Sequence, residues 1–181
     1  MSRFSYFLMT SASVMGVSIP AYLPTSHHLI WNASASVPIG LYVINSPSAL
    51  KVGDLVAFMP EELLAAFMVG RGYIGRDTPL IKHVAALPGQ QVCRADSTVT
   101  VDEMPVGDAL DRDRQGRPLP VWRGCKRVAE GEIFLMNRSV PDSLDGRYFG
   151  TIRSRAILGK VSPVYTVDDG DGRYIWRAAA H

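Results

Sequence analysis

Charge is missing from the first quarter of this 181-residue chain: after Arg3, the next Asp, Glu, Lys or Arg is Lys51. Cysteine is scarce too, with only Cys93 and Cys125 and no CxxC pair. Four histidines give no metal spacing, because His27 and His28 are adjacent while His83 and His181 stand alone. Metal catalysis therefore finds no support, and no cofactor is expected. The net charge is only +2, and no Lys/Arg cluster alternates with aromatics, which argues against a nucleic-acid partner. There is no G-x-S-x-G elbow, no internal repeat and no coiled-coil heptad. In an oxidising compartment the two cysteines would suit one disulfide closing a long loop; in the cytosol they would be free thiols.

What is present is apolar and turn-rich. A hydrophobic fraction of 47% with 20% charged residues fits one buried domain with a small insertion or appendage. Phe4 to Leu23 would span about 30 Å as a helix, one bilayer core. Ser5, Thr10, Ser11, Ser13 and Ser18 dilute it, and Pro20 interrupts it. A positive start followed by an apolar stretch reads as a retained anchor or uncleaved signal, residues 1–24, which implies that the remainder lies across the cytoplasmic membrane. A buried core helix is the alternative.

Beyond it, residues 25–181 read as a β-dominated domain of short strands between turn signals, with an insertion at about 96–127. Thr25 to Ala35 is polar and irregular. Pro38 and Gly40 forbid a helix, and Leu41 to Ile44 reads as a strand, so Ser36 sits on an irregular strand entry. Asn45-Ser46-Pro47-Ser48 is turn chemistry. Further strands are expected at Leu55–Met59, Gln91–Arg94, Val99–Val101, Ile133–Met136 and Ile157–Val161, with a short helix over Glu61–Val69. Asp111-Arg112-Asp113-Arg114 reads as a solvated loop, and Asp168-Asp169-Gly170-Asp171-Gly172 as a solvated turn without calcium-loop spacing.

Pro79 to Gly89 is chemically the most unusual stretch. Lys82 stands inside an apolar run, and a period of two puts it on one face with Leu80, Val84 and Ala86. An amine on an apolar face loses hydration, its pKa falls, and it becomes able to act as a general base. A lysine snorkelling to solvent is the other reading. A base needs a nucleophile, and Ser36, Ser34, Thr78, Ser139 and Ser143 all lie on strand entries or loops. A Ser–Lys dyad is a known variant of triad logic.

Three segments together carry a resemblance. Ser34-Ala35-Ser36-Val37-Pro38-Ile39-Gly40-Leu41-Tyr42 resembles the nucleophile box of the signal peptidase I superfamily. Leu80 to Gly89 resembles its lysine box, and Asp142-Ser143-Leu144-Asp145-Gly146-Arg147-Tyr148-Phe149-Gly150 its last box. Within the superfamily the chain is most similar to the pilin-maturing peptidases of plasmid transfer systems. The resemblance implies a signal-peptidase-like β-barrel or sandwich with an N-terminal apolar helix. It implies Ser36 as nucleophile and Lys82 as general base, with the Ser36 N–H and the Ser34 hydroxyl as oxyanion hole. It also implies Ser143 orienting Lys82, and Asp145 paired with Arg147 in support.

The partner so implied is an exported pilin precursor, either cut or joined head to tail by a monomeric enzyme on the periplasmic face of the inner membrane. The chain has one apolar segment where many signal peptidases have two, and Met136-Asn137-Arg138-Ser139 lacks the usual preceding Gly-Asp. A general signal peptidase and a non-catalytic β-scaffold of the transfer apparatus are the rival readings.

Overall fold

The computed structural model describes residues 3–22, 29–45, 49–167 and 172–177. The turn at 46–48 and the acidic run at 168–171 lie outside the described residues.

Arg3–Tyr22 forms a helix (α1), as the apolar start predicts. Its side chains Phe4, Phe7, Met9 and Met15 are exposed. Thr10 bonds back to the carbonyl of Tyr6 at 2.9 Å, one of the hydroxyls that dilute the helix. No helix among the described residues is long and apolar enough to cross a membrane.

The catalytic-domain expectation of a mainly β chain holds. After α1 come β1 (Leu29–Asn32), β2 (Gly40–Asn45), β3 (Leu55–Phe58), α2 (Glu62–Gly70) and β4 (Leu80–Ala86). Four strands follow: β5 (Gln91–Ala95), β6 (Thr98–Val101), β7 (Met104–Asp108) and β8 (Gly124–Arg127). The chain finishes with β9 (Glu132–Leu135), α3 (Gly146–Phe149), β10 (Thr151–Arg153), β11 (Ile157–Val167) and β12 (Tyr174–Trp176). Residues 29–32, read from sequence as irregular, are in fact a strand with its pattern inverted. Leu29 and Trp31 face out while Ile30 and Asn32 are buried, so a polar residue occupies an inward position.

The larger sheet runs β1-β2-β11-β3-β4-β9-β10, with β12 added on β11. β4, like its neighbour β3, is enclosed along its length: Leu80, Ile81, Lys82, Val84, Ala85 and Ala86 are all buried and only His83 is half-buried. Its Leu80 and Val84 pack with Val56, Phe58, Met68 and Leu135, while Ile81 packs on the opposite face with Ile30, Val37, Tyr42 and Val161. Each such side chain contributes about 1.5–3 kcal/mol relative to exposure. β4 is consequently a rigid place for a functional group.

Between β4 and its partner β9 the chain builds a second sheet, β7-β6-β5-β8. Cys93 and Cys125 lie directly opposite on β5 and β8 and are joined by a disulfide. The bond closes a span of 32 residues, which in the chain-entropy account stabilises by roughly 3–4 kcal/mol. A buried arginine, Arg94, ties this sheet to the helical turn of the larger unit by donating to the carbonyl of Arg147 at 2.7 Å.

Candidate active site

The site begins at the turn between β1 and β2. Asn32, the inward polar residue, uses its side-chain amide on the carbonyls of Ser34 (2.7 Å), Val37 (3.0 Å) and Pro38 (3.1 Å). Its Oδ1 accepts from the Ser34 N–H at 3.1 Å and the Ser34 hydroxyl at 2.9 Å. The buried Tyr42 hydroxyl donates to the Pro38 carbonyl at 2.7 Å, and desolvation pushes that phenol up to about 12. Gly40 then starts β2 at φ +147°, where an added Cβ would lie 2.2 Å from the Tyr165 carbonyl oxygen. The turn is thus bound from below by buried groups, and Ser36 projects from it.

The Ser34 and Ser36 hydroxyls lie 3.0 Å apart. Asn32 Oδ1 only accepts, so the single Ser34 proton goes to it, and Ser36 supplies the proton between the two serines. No hydrogen bond joins Ser36 to Lys82. Lys82 Nζ instead donates to Ser143 Oγ at 2.6 Å. The amine is 2% exposed. Burial lowers its pKa from 10.5 to about 8; the negative charge of Asp145 opposes the shift and Arg147 adds to it.

Ser143 is held by the next layer. Asp145 and Arg147 are fully enclosed, at 0% and 1% exposure. Arg147 pairs bidentately with Asp145, Nε to Oδ1 and Nη2 to Oδ2, both at 2.9 Å. The remaining guanidinium donors take the carbonyls of Val140 (2.7 Å), Pro141 (2.9 Å) and Ser143 (3.2 Å). One ion pair therefore shapes the whole loop that presents Ser143. Gly146 lies between the two charges because a Cβ there would come within 2.5 Å of the Phe134 ring and 2.7 Å of the Leu135 carbonyl oxygen.

A residue that sequence reasoning passed over joins these parts. Asn137 is 1% exposed, and its amide donates to the Ser36 carbonyl at 2.7 Å and to the Ile81 carbonyl at 3.4 Å. Its Oδ1 accepts from the His83 N–H at 3.1 Å and lies 3.1 Å from His83 Nδ1, which must therefore carry a proton. Its own N–H goes to Asp145 Oδ2 at 3.0 Å. One asparagine thus spans the turn carrying Ser36, the strand carrying Lys82 and the buried carboxylate.

Ser34, Ser36, Lys82 and Ser143 open on one cavity of about 350 Å³, with Met68, Leu80, Leu144 and Tyr148 supplying apolar walls. As expected of a solvated loop, Asp111, Arg112 and Arg114 are exposed and only Asp113 is half-buried. The run nonetheless borders the cavity, whose lining includes Arg112, Asp113 and Arg114. Asp113 accepts from the Tyr73 hydroxyl at 2.5 Å and from Arg117 Nε at 2.7 Å, partners that anchor the run at the cavity's edge. Thr78 and Ser139 do not reach the cavity lining. Among the described residues no cluster of His, Cys, Asp or Glu is fit to hold a metal.

An enclosed amine of lowered basicity thus faces a cleft that also holds serine hydroxyls. The chain belongs to the signal peptidase, peptidase S26 family, whose profile matches residues 1–166. Among individual proteins it is similar to the conjugal transfer protein TraF of Agrobacterium fabrum (strain C58), 36% identical over 76% of this chain and 82% of that one. It is also 33% identical to the plasmid transfer protein TraF of Escherichia coli, over 75% of this chain and 81% of the relative. A crystal structure of a signal peptidase I from Enterococcus faecalis V583 is 20% identical, covering 64% of this chain and 98% of that chain with a TM-score of 0.38. The kinship to a serine-peptidase family thus rests on sequence, and the fold on the strands described above.

Proposed function

We propose that this protein is a Ser/Lys-dyad peptidase that processes an exported pilin precursor in conjugative transfer. The observation that carries the reading is the shared cavity: Ser36 and Lys82 face it, and the amine is desolvated enough for its pKa to fall to about 8. The family and the conjugal-transfer names of the relatives support it.

The chemistry follows from the hydrogen bonds. In the resting arrangement Ser36 gives its proton to Ser34, and Lys82 gives one to Ser143. Attack requires a χ1 rotation of Ser36 that turns its hydroxyl from Ser34 toward neutral Lys82, which takes the proton. The oxygen adds to the scissile carbonyl, whose developing oxyanion is met by the Ser36 N–H and by the Ser34 hydroxyl once it leaves Asn32. Lys82, now charged, protonates the leaving amine, and an ester on Ser36 remains. Water, delivered with Lys82 again as base, gives the cleaved acid. An incoming amine gives a new peptide bond, the route to a cyclic product. Ser143 holds Lys82 in one rotamer throughout, and Asp145 with Arg147 holds Ser143.

Incubating a pilin precursor with the wild type, Ser36→Ala and Lys82→Ala and weighing the products tests this. Wild type is expected to shorten the precursor and both variants to leave it intact. A product one water lighter than the linear form marks cyclisation. Processing by either variant refutes the dyad, and equal cutting of unrelated preproteins favours a general signal peptidase.

The site of action belongs to the same reading: the periplasmic face of the inner membrane. The disulfide fits an oxidising compartment. An exposed aromatic ridge fits a lipid headgroup layer, with Tyr165 stacked on Tyr174 at 4.9 Å and flanked by Trp31 and Trp176 at 6.3 and 6.2 Å. The ridge draws on β1, β11 and β12, and β1 is the strand that follows α1. Sedimentation with anionic vesicles should fall when Trp31 and Trp176 are both replaced by serine; unchanged sedimentation rejects the ridge as the contact.

A further inference from the structure

Six residues of one hairpin, 111–119, line the cavity that holds the two serines, and the hairpin carries three arginines against two aspartates. The hairpin is rigid: the Asp113 N–H donates to the Arg117 carbonyl and the Leu119 N–H to the Asp111 carbonyl, both at 2.9 Å, and Gly116 closes the turn on Asp113 at 2.9 Å. Two of its three arginines are neutralised. Arg117 pairs with Asp113 at 2.7 Å, and Arg114 pairs with Asp142 on the loop that carries Ser143. Arg112 is left over. Among the described residues no carboxylate bonds to it, although it lines the cavity. Arg112 is exposed, and its one side-chain hydrogen bond among the described residues, Nη1 to the Gly116 carbonyl at 2.6 Å, ties the guanidinium to the turn and leaves its other donors open to a ligand.

A guanidinium held in place beside an apolar cleft is a recognition element for a carboxylate. Its planar fork matches two oxygens, and part of its ordering entropy is already spent in the free protein. We infer that Arg112 is a specificity-determining residue that takes a carboxylate of the bound peptide. The substrate class is an apolar segment bearing one acidic side chain, or the free chain terminus, within reach of the cut. The Arg114–Asp142 pair fits this assignment, since it engages an acid of the cavity lining while tying the hairpin to the loop of Ser143. The inference rests on the peptide-cleft reading above, and its test separates the two.

Ten-residue synthetic peptides, apolar with alanine before the intended cut, are prepared with a single Glu walked along the sequence, each matched by Gln and Lys versions and by free and amidated C-termini. Binding to the Ser36→Ala protein is read by fluorescence anisotropy, which does not depend on turnover. At one position Glu should bind about tenfold more tightly than Gln, as expected for one charge-assisted hydrogen-bonded pair. If the terminus is the ligand, the loss should follow amidation instead. Arg112→Gln should abolish the difference, and Arg112→Glu should reverse it in favour of Lys, while Arg123→Glu, a change outside this cavity, leaves it unchanged. With cleavable peptides the same preference should appear in wild-type KM rather than kcat. Equal affinity for Glu, Gln and amidated peptides, or a Glu preference surviving Arg112→Glu, overturns the inference. Discrimination in binding with no cleavage by wild type would instead refute the peptidase reading and leave Arg112 as a carboxylate receptor.

Discussion

The two halves of the site are built in opposite ways. On one side Lys82, Ser143, Asp145 and Arg147 are all buried, at 0–3% exposure, and linked by hydrogen bonds and an ion pair. On the other, Ser34 and Ser36 sit on a turn open to the cavity, held from beneath by Asn32, Asn137 and the Tyr42 hydroxyl. The first half is costly to build, because an enclosed lysine and an enclosed ion pair must be kept from water. The second carries little folding energy and keeps a hydroxyl free to rotate. Chemistry and stability should therefore separate when each half is broken.

The widest separation is expected for the dyad itself. Ser36→Ala should lower the rate of precursor processing by about 10⁴-fold or more while shifting the denaturant midpoint little, because its side chain contacts only Ser34. Lys82→Met should lose as much activity yet gain stability at neutral pH, since it removes a desolvated amine from an apolar strand. Loss of stability in Ser36→Ala comparable to a core mutation would break the comparison.

Next is the ion pair. Arg147→Met leaves Asp145 buried without its partner and frees the carbonyls of Val140, Pro141 and Ser143. It should destabilise by about 3–5 kcal/mol, the usual result of breaking a buried pair on one side. Urea unfolding of the variant measures it, and a change below about 1 kcal/mol would show that the pair is dispensable.

The third prediction uses pH to sharpen the contrast within the base half. Lys82 has a folded-state pKa near 8 against 10.5 as the ordinary value. Between these values the unfolded chain binds the proton and the folded one does not, so this group's contribution to stability rises with pH across that window. Below pH 8 the cost of the buried ammonium is present in full; above 10.5 it is gone. The stability advantage of Lys82→Met over wild type should shrink by roughly 3 kcal/mol from pH 7 to pH 10.5. Processing by wild type should rise with pH through a midpoint near 8. A pH-independent advantage would show that the amine is not desolvated in solution.

The same asymmetry explains what could be seen in the sequence. Lys82 was visible because a cation within Leu80-Ile81-Lys82-His83-Val84-Ala85-Ala86 contradicts its surroundings, and Ser36 because Pro38 and Gly40 mark an irregular entry to a strand. The asparagines were hidden. Asn32 and Asn137 stand beside turn residues, where asparagine is ordinary, and their partners lie up to 101 positions away. β1 was lost for a related reason, since its inward polar residue inverts the expected alternation. The 111–114 run reads correctly as solvated, because alternating charge is the mark of a surface loop. That it borders the cavity was hidden, since its position depends on Tyr73 and Asp142, neither of which is adjacent to it in sequence.

The smallest expected effect falls where the two halves meet. Asn137→Ala removes the donor to the Ser36 carbonyl and the acceptor for the His83 N–H, while its backbone N–H to Asp145 survives. Leaving two buried groups unpaired should cost about 1–3 kcal/mol of stability, less than the loss of Arg147. The informative readout is the partition between rate and pH profile. If Asn137 positions the nucleophile turn and nothing else, kcat should fall while the midpoint near pH 8 stays in place, because the surroundings of Lys82 Nζ are untouched. Asn137→Asp should not rescue it, since a carboxylate cannot donate to the Ser36 carbonyl. A shifted midpoint in Asn137→Ala would mean that the asparagine acts through β4 on the base, and that the two halves are less separate than their burial suggests.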